Sequence, residues 1–142
     1  LGKGVGGGVP LGAVAIGERV KDFPKAIHGS TFGGNPIASS AGLATLEFIE
    51  KNNLVERSRE LGEYFLNKLS KLSLPAVREV RGKGLMMAIE LKKRAQEYSK
   101  ELMDNGVLTI MAGPTTLRVL PPLVITREDI DEAVIKIEEV LQ

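Results

Sequence analysis

The sequence predicts an α+β fold, with helices on one face of a mainly antiparallel sheet, and three patterns in its 142 residues carry that prediction. Apolar residues alternate on both sides of a glycine turn in VREVRGKGLMMAIEL, which gives a strand, a tight turn and a second strand. Apolar residues recur at helical spacing in two other stretches, at Leu61, Phe65, Leu66 and Leu69 and at Ile130, Ala133, Val134, Ile137 and Leu141. The order after Pro75 is β-β-α-β-β-α, without the strict βαβ alternation that a parallel sheet needs.

Taken from the start, Val9 to Ile16 (VPLGAVAI) is an apolar run between glycines and is expected to be a buried strand. A charged loop, ERVKDFPKA, and a polar glycine-rich turn, HGSTFGGNP, follow. Asn35-Pro36 is a strong helix start, because asparagine caps the free amides and proline fits the first helical position. The helix runs from Ile37 to Asn53, and its first half is so rich in Ala, Ser and Gly that something must approach it closely. A second, amphipathic helix occupies VERSRELGEYFLNKLSKL and ends before Pro75. After the strand pair, RAQEYSKELMDNG is a short helix stopped by Asn105-Gly106. VLTIM and LRVLPPLVI are expected strands around the turn AGPTT. Thr126 caps the last helix, with Asp129 in the capping-box position. Arg81 and Lys83 fall beside glycines and read as turn residues.

Composition narrows the function. Hydrophobic residues make up 43% and charged residues 26%, values of a globular chain with a real core. Lys plus Arg is 19 against 18 for Asp plus Glu, so no basic patch for nucleic acid or acidic lipid is expected. There is no tryptophan to stack on bases, and no cysteine for disulfides or thiolate metal sites. The longest apolar stretch is too short to span a bilayer, and no cationic lead-in of a secretory signal precedes it. The expectation is a cytoplasmic protein with no membrane, nucleic-acid or metal partner. The first residue is leucine in mid-motif, which reads as a fragment.

Several motifs carry chemistry. Gly2, Gly4 and Gly7 satisfy G-x-G-x-x-G, but Val-Pro and an apolar run follow where a dinucleotide site needs a helix. Lys3, between glycines, is either a solvated lysine or an amine given room to meet a flat carbonyl-bearing ring. Ser30 and Thr31, with Gly29, Gly33 and Gly34, put two hydroxyls and unhindered amides ahead of a helix N-terminus, which is either an anion site or an ordinary polar turn. His28, the single histidine, has no nucleophile beside it in the sequence. Arg118 is a lone cation among aliphatics; if buried it needs a carboxylate, and the pattern alone favours one from the protein over one from a substrate.

In order and spacing, GKGVGGGVPLGA, HGSTFGGNPIA, VRGKGLMMAIEL and LRVLPPLVI resemble the closing segments of class III pyridoxal-phosphate aminotransferases. The nearest branch is that of acetylornithine and ornithine aminotransferases, with the relatives acting on carrier-protein-bound lysine precursors. The resemblance implies the small C-terminal domain of a fold-type I enzyme, preceded by the last strand and long helix of the large domain. Residues 1–35 would close the cofactor-binding large domain, 36–74 would be connecting helices, and 75–142 the small α+β domain. Lys3 would then form the covalent link to pyridoxal 5'-phosphate and shuttle the substrate proton. Thr31, supported by Ser30, would reach the cofactor phosphate across a dimer interface, and Arg118 would bind the substrate carboxylate or, in some members, pair with a glutamate. The implied reaction moves an amino group from an N-acetylornithine-like ω-amino donor to 2-oxoglutarate in arginine or lysine biosynthesis, within a homodimer or larger homo-oligomer. The family's glycine-threonine phosphate cup, ring-stacking aromatic and ring-nitrogen aspartate are not among these residues. A non-catalytic remnant that keeps the small-domain fold and self-associates is the alternative, and a nucleotide-binding module is the weakest reading.

Overall fold

The computed structural model describes residues 1–21, 24 and 27–142, so part of the charged loop over 18–26 lies outside the described residues. The chain divides into two compact units, Leu1–Asn53 and Leu54–Gln142.

In the first unit a short 3₁₀ turn, Lys3–Gly6, packs against helix α1, Pro36–Lys51. The cap works as the sequence predicts: Asn35 Oδ1 accepts from the Ala38 amide at 2.9 Å and Pro36 takes the first turn. The small-residue stretch of α1 is used locally, since a Cβ at Gly42 would collide with the end of the Leu11 side chain. The helix ends at Lys51, two residues before the expected limit, and Asn53 adopts a left-handed φ of 49°.

Val9–Ile16 is not a strand, contrary to the sequence expectation. Leu1 and Ala13 exchange a reciprocal pair of hydrogen bonds at 2.7 and 3.0 Å, but no ladder extends from it. Val14 and Ile16 are 86% and 59% exposed. An apolar run becomes a buried strand only when a neighbouring strand completes its hydrogen bonds, and the described residues of this unit supply none.

The second unit holds helices α2 (Leu54–Ser70), α3 (Ala95–Asp104) and α4 (Arg127–Leu141) and strands β1 (Val77–Lys83), β2 (Met86–Leu91), β3 (Ile110–Met111) and β4 (Thr116–Val119). The strands form one antiparallel sheet in the order β1-β2-β4-β3. Strand alternation separates its two faces. Met87, Ile89, Leu91, Leu117 and Val119 are buried with Leu61, Phe65 and Leu69 of α2, Leu102 of α3 and Ile130, Ile137 and Leu141 of α4. Each such aliphatic side chain contributes about 1.5–3 kcal/mol by leaving water. The alternate positions, Arg81, Ala88, Glu90, Thr116 and Arg118, occupy the other face.

Two expected strands are shorter than the sequence suggests. Val107 donates to the Leu102 carbonyl at 2.8 Å and Thr109 meets the Ser99 hydroxyl at 3.0 Å, so α3 holds these residues and β3 keeps only two. β4 stops at Val119 because Pro121 and Pro122 lack the N–H that a ladder requires, and a turn closes from Ile125 to Pro122 at 3.0 Å. The predicted capping box of α4 is present, with Thr126 and Asp129 exchanging side-chain-to-backbone bonds.

Tyr64 ties α2 to α4: its hydroxyl donates to Asp131 at 2.7 Å, and Lys68 and Arg127 lie 5.3 and 5.0 Å from its ring centre. The Tyr64 hydrogen bond, then Lys68, holds the Asp131 carboxyl below its ordinary range. A carboxyl depressed in the folded state stabilises the fold above its unfolded pKa of about 3.9, and that contribution is lost as pH falls through the folded value. The urea midpoint of the native protein should therefore exceed that of Asp131→Asn at neutral pH, and the gap should close below about pH 4. A gap that stays constant from pH 7 to pH 3 would contradict this assignment.

Candidate active site

Lys3 is exposed and its backbone is left-handed, with φ 54°. That conformation costs a residue with a Cβ roughly 1–2 kcal/mol and is rare outside glycine. Gly2 and Gly4, on either side, face open space: a Cβ at either would meet nothing within 4 Å. By contrast, Gly7 and Gly8 have φ of 59° and 110°, so backbone conformation accounts for them. The Lys3 amine makes no hydrogen bond or ion pair with another described residue. This stretch leads into a 3₁₀ turn and then coil, which rules out the strand–glycine loop–helix setting of a dinucleotide site.

Ser30 and Thr31 are exposed in the turn immediately before α1, where the Gly33 amide donates to the Ser30 carbonyl at 3.1 Å. Neither hydroxyl has a partner among the described residues. His28 sits in the preceding bend, exposed. Lys3, Ser30 and Thr31 all belong to the first unit, and no bond links the lysine to either hydroxyl.

Arg118 belongs to the second unit, in the middle of β4. It is half-buried, and its Nε is shielded from solvent with no hydrogen-bond partner. The register puts it across from Ala88 of β2 and Ile110 of β3. On the far side of Ala88 stands Arg81 of β1. The small alanine leaves an open cavity of about 390 Å³ between the two guanidinium-bearing side chains, lined also by Lys83, Met86 and Ala112. A guanidinium is planar, and its donors match those of a carboxylate in geometry.

The protein partner that the pattern favoured for Arg118 is therefore not found among the described residues. The two glutamates on the same face, Glu79 and Glu90, both pair with Arg81. Glu90 accepts from the hydroxyls of Thr115 and Thr116 at 2.6 and 2.7 Å and pairs with Arg81 at 3.4 Å. These bonds, the Thr115 hydroxyl foremost, keep its carboxyl below the ordinary range. Arg81 and Lys83 are strand residues on the open face and not the turn residues expected from the adjacent glycines. The tight turn comprises Gly84, with φ 55°, and Leu85. The spacing of Arg81 and Glu79, two apart in an alternating strand, was the available signal that both face one way. Among the described residues no cluster of three His, Asp or Glu is placed to hold a metal ion, and no helix is long and apolar enough to cross a membrane.

This α+β domain, with the glycine-flanked lysine in the unit before it, has counterparts among known proteins, and they fix its family. A model of the family "Aminotransferase class-III" matches residues 1–141, and the chain belongs to that family. It is 47% identical to the ornithine aminotransferase of Staphylococcus carnosus strain TM300 over 99% of the chain and 36% of that protein. It is 43% identical to the ornithine aminotransferase of Bacillus subtilis strain 168 over 100% of the chain and 36% of that protein. Among solved structures, the Plasmodium falciparum ornithine delta-aminotransferase superposes with a TM-score of 0.77 at 35% identity, covering 84% of the chain and 32% of that structure. The acetylornithine aminotransferase of Elizabethkingia anophelis gives 0.77 at 35% identity, covering 86% and 33%. The chain thus spans about a third of the length of these relatives, and its sheet unit is the small C-terminal domain of their fold.

Proposed function

We propose that Lys3, Ser30, Thr31 and Arg118 serve an aminotransferase that moves an amino group from an ω-amino donor, ornithine or N-acetylornithine, to 2-oxoglutarate. The observation that carries this reading is Lys3: an exposed amine with no partner among the described residues, on a left-handed backbone, between two glycines at which a Cβ would meet no described atom within 4 Å. Strained backbone at a polar residue marks a site where function sets the conformation.

The residues present suit pyridoxal 5'-phosphate in the chemistry of their donors. Lys3 Nζ would hold its carbonyl carbon, and the Thr31 and Ser30 hydroxyls, ahead of the positive end of α1, would hold its phosphate. When bound, the cofactor supplies an electron sink for the substrate carbon that loses its proton. Lys3 Nζ would be the base that accepts that proton and returns it to a neighbouring carbon. Arg118 orients the substrate by its carboxylate. On this reading residues 1–35 close the cofactor-binding domain, 36–74 connect it, and 75–142 form the substrate-facing small domain. Exposed apolar side chains on the first unit, among them Phe32 at 80% and Ile37 at 75%, support a homodimer or larger homo-oligomer in which Thr31 serves the neighbouring subunit's cofactor. A cytoplasmic role in arginine or lysine biosynthesis agrees with these substrates.

The test is glutamate formation by the intact protein supplied with pyridoxal phosphate, 2-oxoglutarate and either donor. Glutamate should appear only with all three components, and light scattering at assay concentration should return a dimer mass or larger. No glutamate from either donor would count against the proposal.

A further inference from the structure

On the open face of the sheet, one row across the strands is Arg81, Ala88, Arg118 and Ile110. The adjacent row carries Glu79, Glu90 and Thr116. Glu90 is therefore the diagonal neighbour of both arginines, at roughly 7–8 Å, a span that long side chains bridge. Backbone geometry offers it either guanidinium. It takes Arg81: Nη2 stands 3.4 Å from Glu90 and Nη1 3.2 Å from Glu79. The hydroxyls of Thr115 and Thr116 donate to the two Glu90 oxygens at 2.6 and 2.7 Å, which leaves that carboxylate little unused acceptor capacity. Arg118, the other candidate, makes no ion pair among the described residues, and its Nε is buried and unbonded.

We propose that Arg81 is a positioning residue: it neutralises both glutamates of the open face and so leaves Arg118 available to an external carboxylate. The inference rests on the reading of Arg118 as the substrate-carboxylate residue and adds what keeps its own sheet from quenching it. Glu79 and Glu90 are like charges directly opposite each other, a repulsive pair unless a cation sits between them. Without Arg81, the nearest remaining relief for Glu90 on this face is the guanidinium diagonal to it. Arg118 would turn inward to its own protein. Ala88 matters because a larger residue there would separate the two arginines and fill the cavity that admits the ligand.

Glutarate, a dicarboxylate with no group to transaminate, provides the test, titrated into the full chain while the backbone amide of Ala88 is followed by NMR. The native protein should show a saturable shift. Arg81→Gln should raise the apparent dissociation constant by about tenfold. Adding Glu79→Gln and Glu90→Gln to that variant should restore it to within about threefold of native, since no carboxylate remains to capture Arg118. Native affinity in Arg81→Gln, or a triple variant as weak as the single one, would overturn the positioning role. Arg118→Gln separates the two claims. If it binds glutarate as the native protein does, or if the native protein shows no saturable shift, the reading of Arg118 fails and the inference with it. If Arg118→Gln loses binding while Arg81→Gln does not, only the positioning role fails.

Discussion

Gly62→Ala is expected to destabilise the sheet-bearing unit by about 3 kcal/mol or more, although alanine is the better helix former by about 1 kcal/mol. Gly62 lies in α2, and a Cβ there would stand 2.7 Å from Gly84 Cα and closer still to the Gly84 carbonyl. Both obstacles are backbone, and Gly84 cannot yield easily. Its φ of 55° sets the β1–β2 turn, and the following Leu85 amide donates to Ser58 Oγ at 3.3 Å. The helix and hairpin would have to separate, opening the core around Leu61, Phe65 and Leu85. In urea the midpoint should fall by about 1 M or more. Glu63→Ala, an exposed neighbour on the same helix, should stay within about 0.5 kcal/mol of native. A Gly62→Ala protein as stable as the native one would show that propensity outweighs the close approach, and the packing account would be wrong.

Lys3→Ala is expected to lower aminotransferase turnover by about a thousandfold, the middle of the range for losing a positioned general acid–base group. Losing the covalent anchor adds to that effect. Since Lys3 is exposed and makes no bond to another described residue, the substitution should leave stability nearly unchanged. Lys3→Arg keeps the charge but offers no amine that can add to a carbonyl, and it should be as inactive as Lys3→Ala. Substantial turnover in either variant would remove Lys3 from the chemistry. Lys3 and Gly62 lie in separate units of the chain, and each prediction has its own readout, turnover for the first and the urea midpoint for the second.

What could be read from the sequence follows from how local each signal is. The caps at Asn35-Pro36 and Thr126–Asp129 depend on residues within one helical turn, and both formed as expected. The alternation in MMAIEL reports which side chains face the core, and Met87, Ile89 and Leu91 are buried. Val9–Ile16 failed because an apolar run reports a preference for burial and says nothing about whether a partner strand is at hand. Arg81 failed for a similar reason: nearby glycines suggested a turn, while the turn itself is placed one step later by the pairing of Lys83 with Met86. The site shows the same division. Lys3 and Arg118 stood out by their local surroundings and by resemblance. That Arg81 and Arg118 flank Ala88, with Glu90 diagonal to both, is a property of register across three strands, which no single stretch encodes.

Borohydride reduction in the presence of pyridoxal phosphate tests the central claim most directly, because it fixes the cofactor to whichever amine has formed a covalent link. Peptide mapping of the reduced intact protein should find close to one label per chain, on Lys3, and Lys3→Ala should abolish it. Absence of label, or label scattered over the other surface lysines, would contradict the assignment of Lys3 as the cofactor-bearing residue.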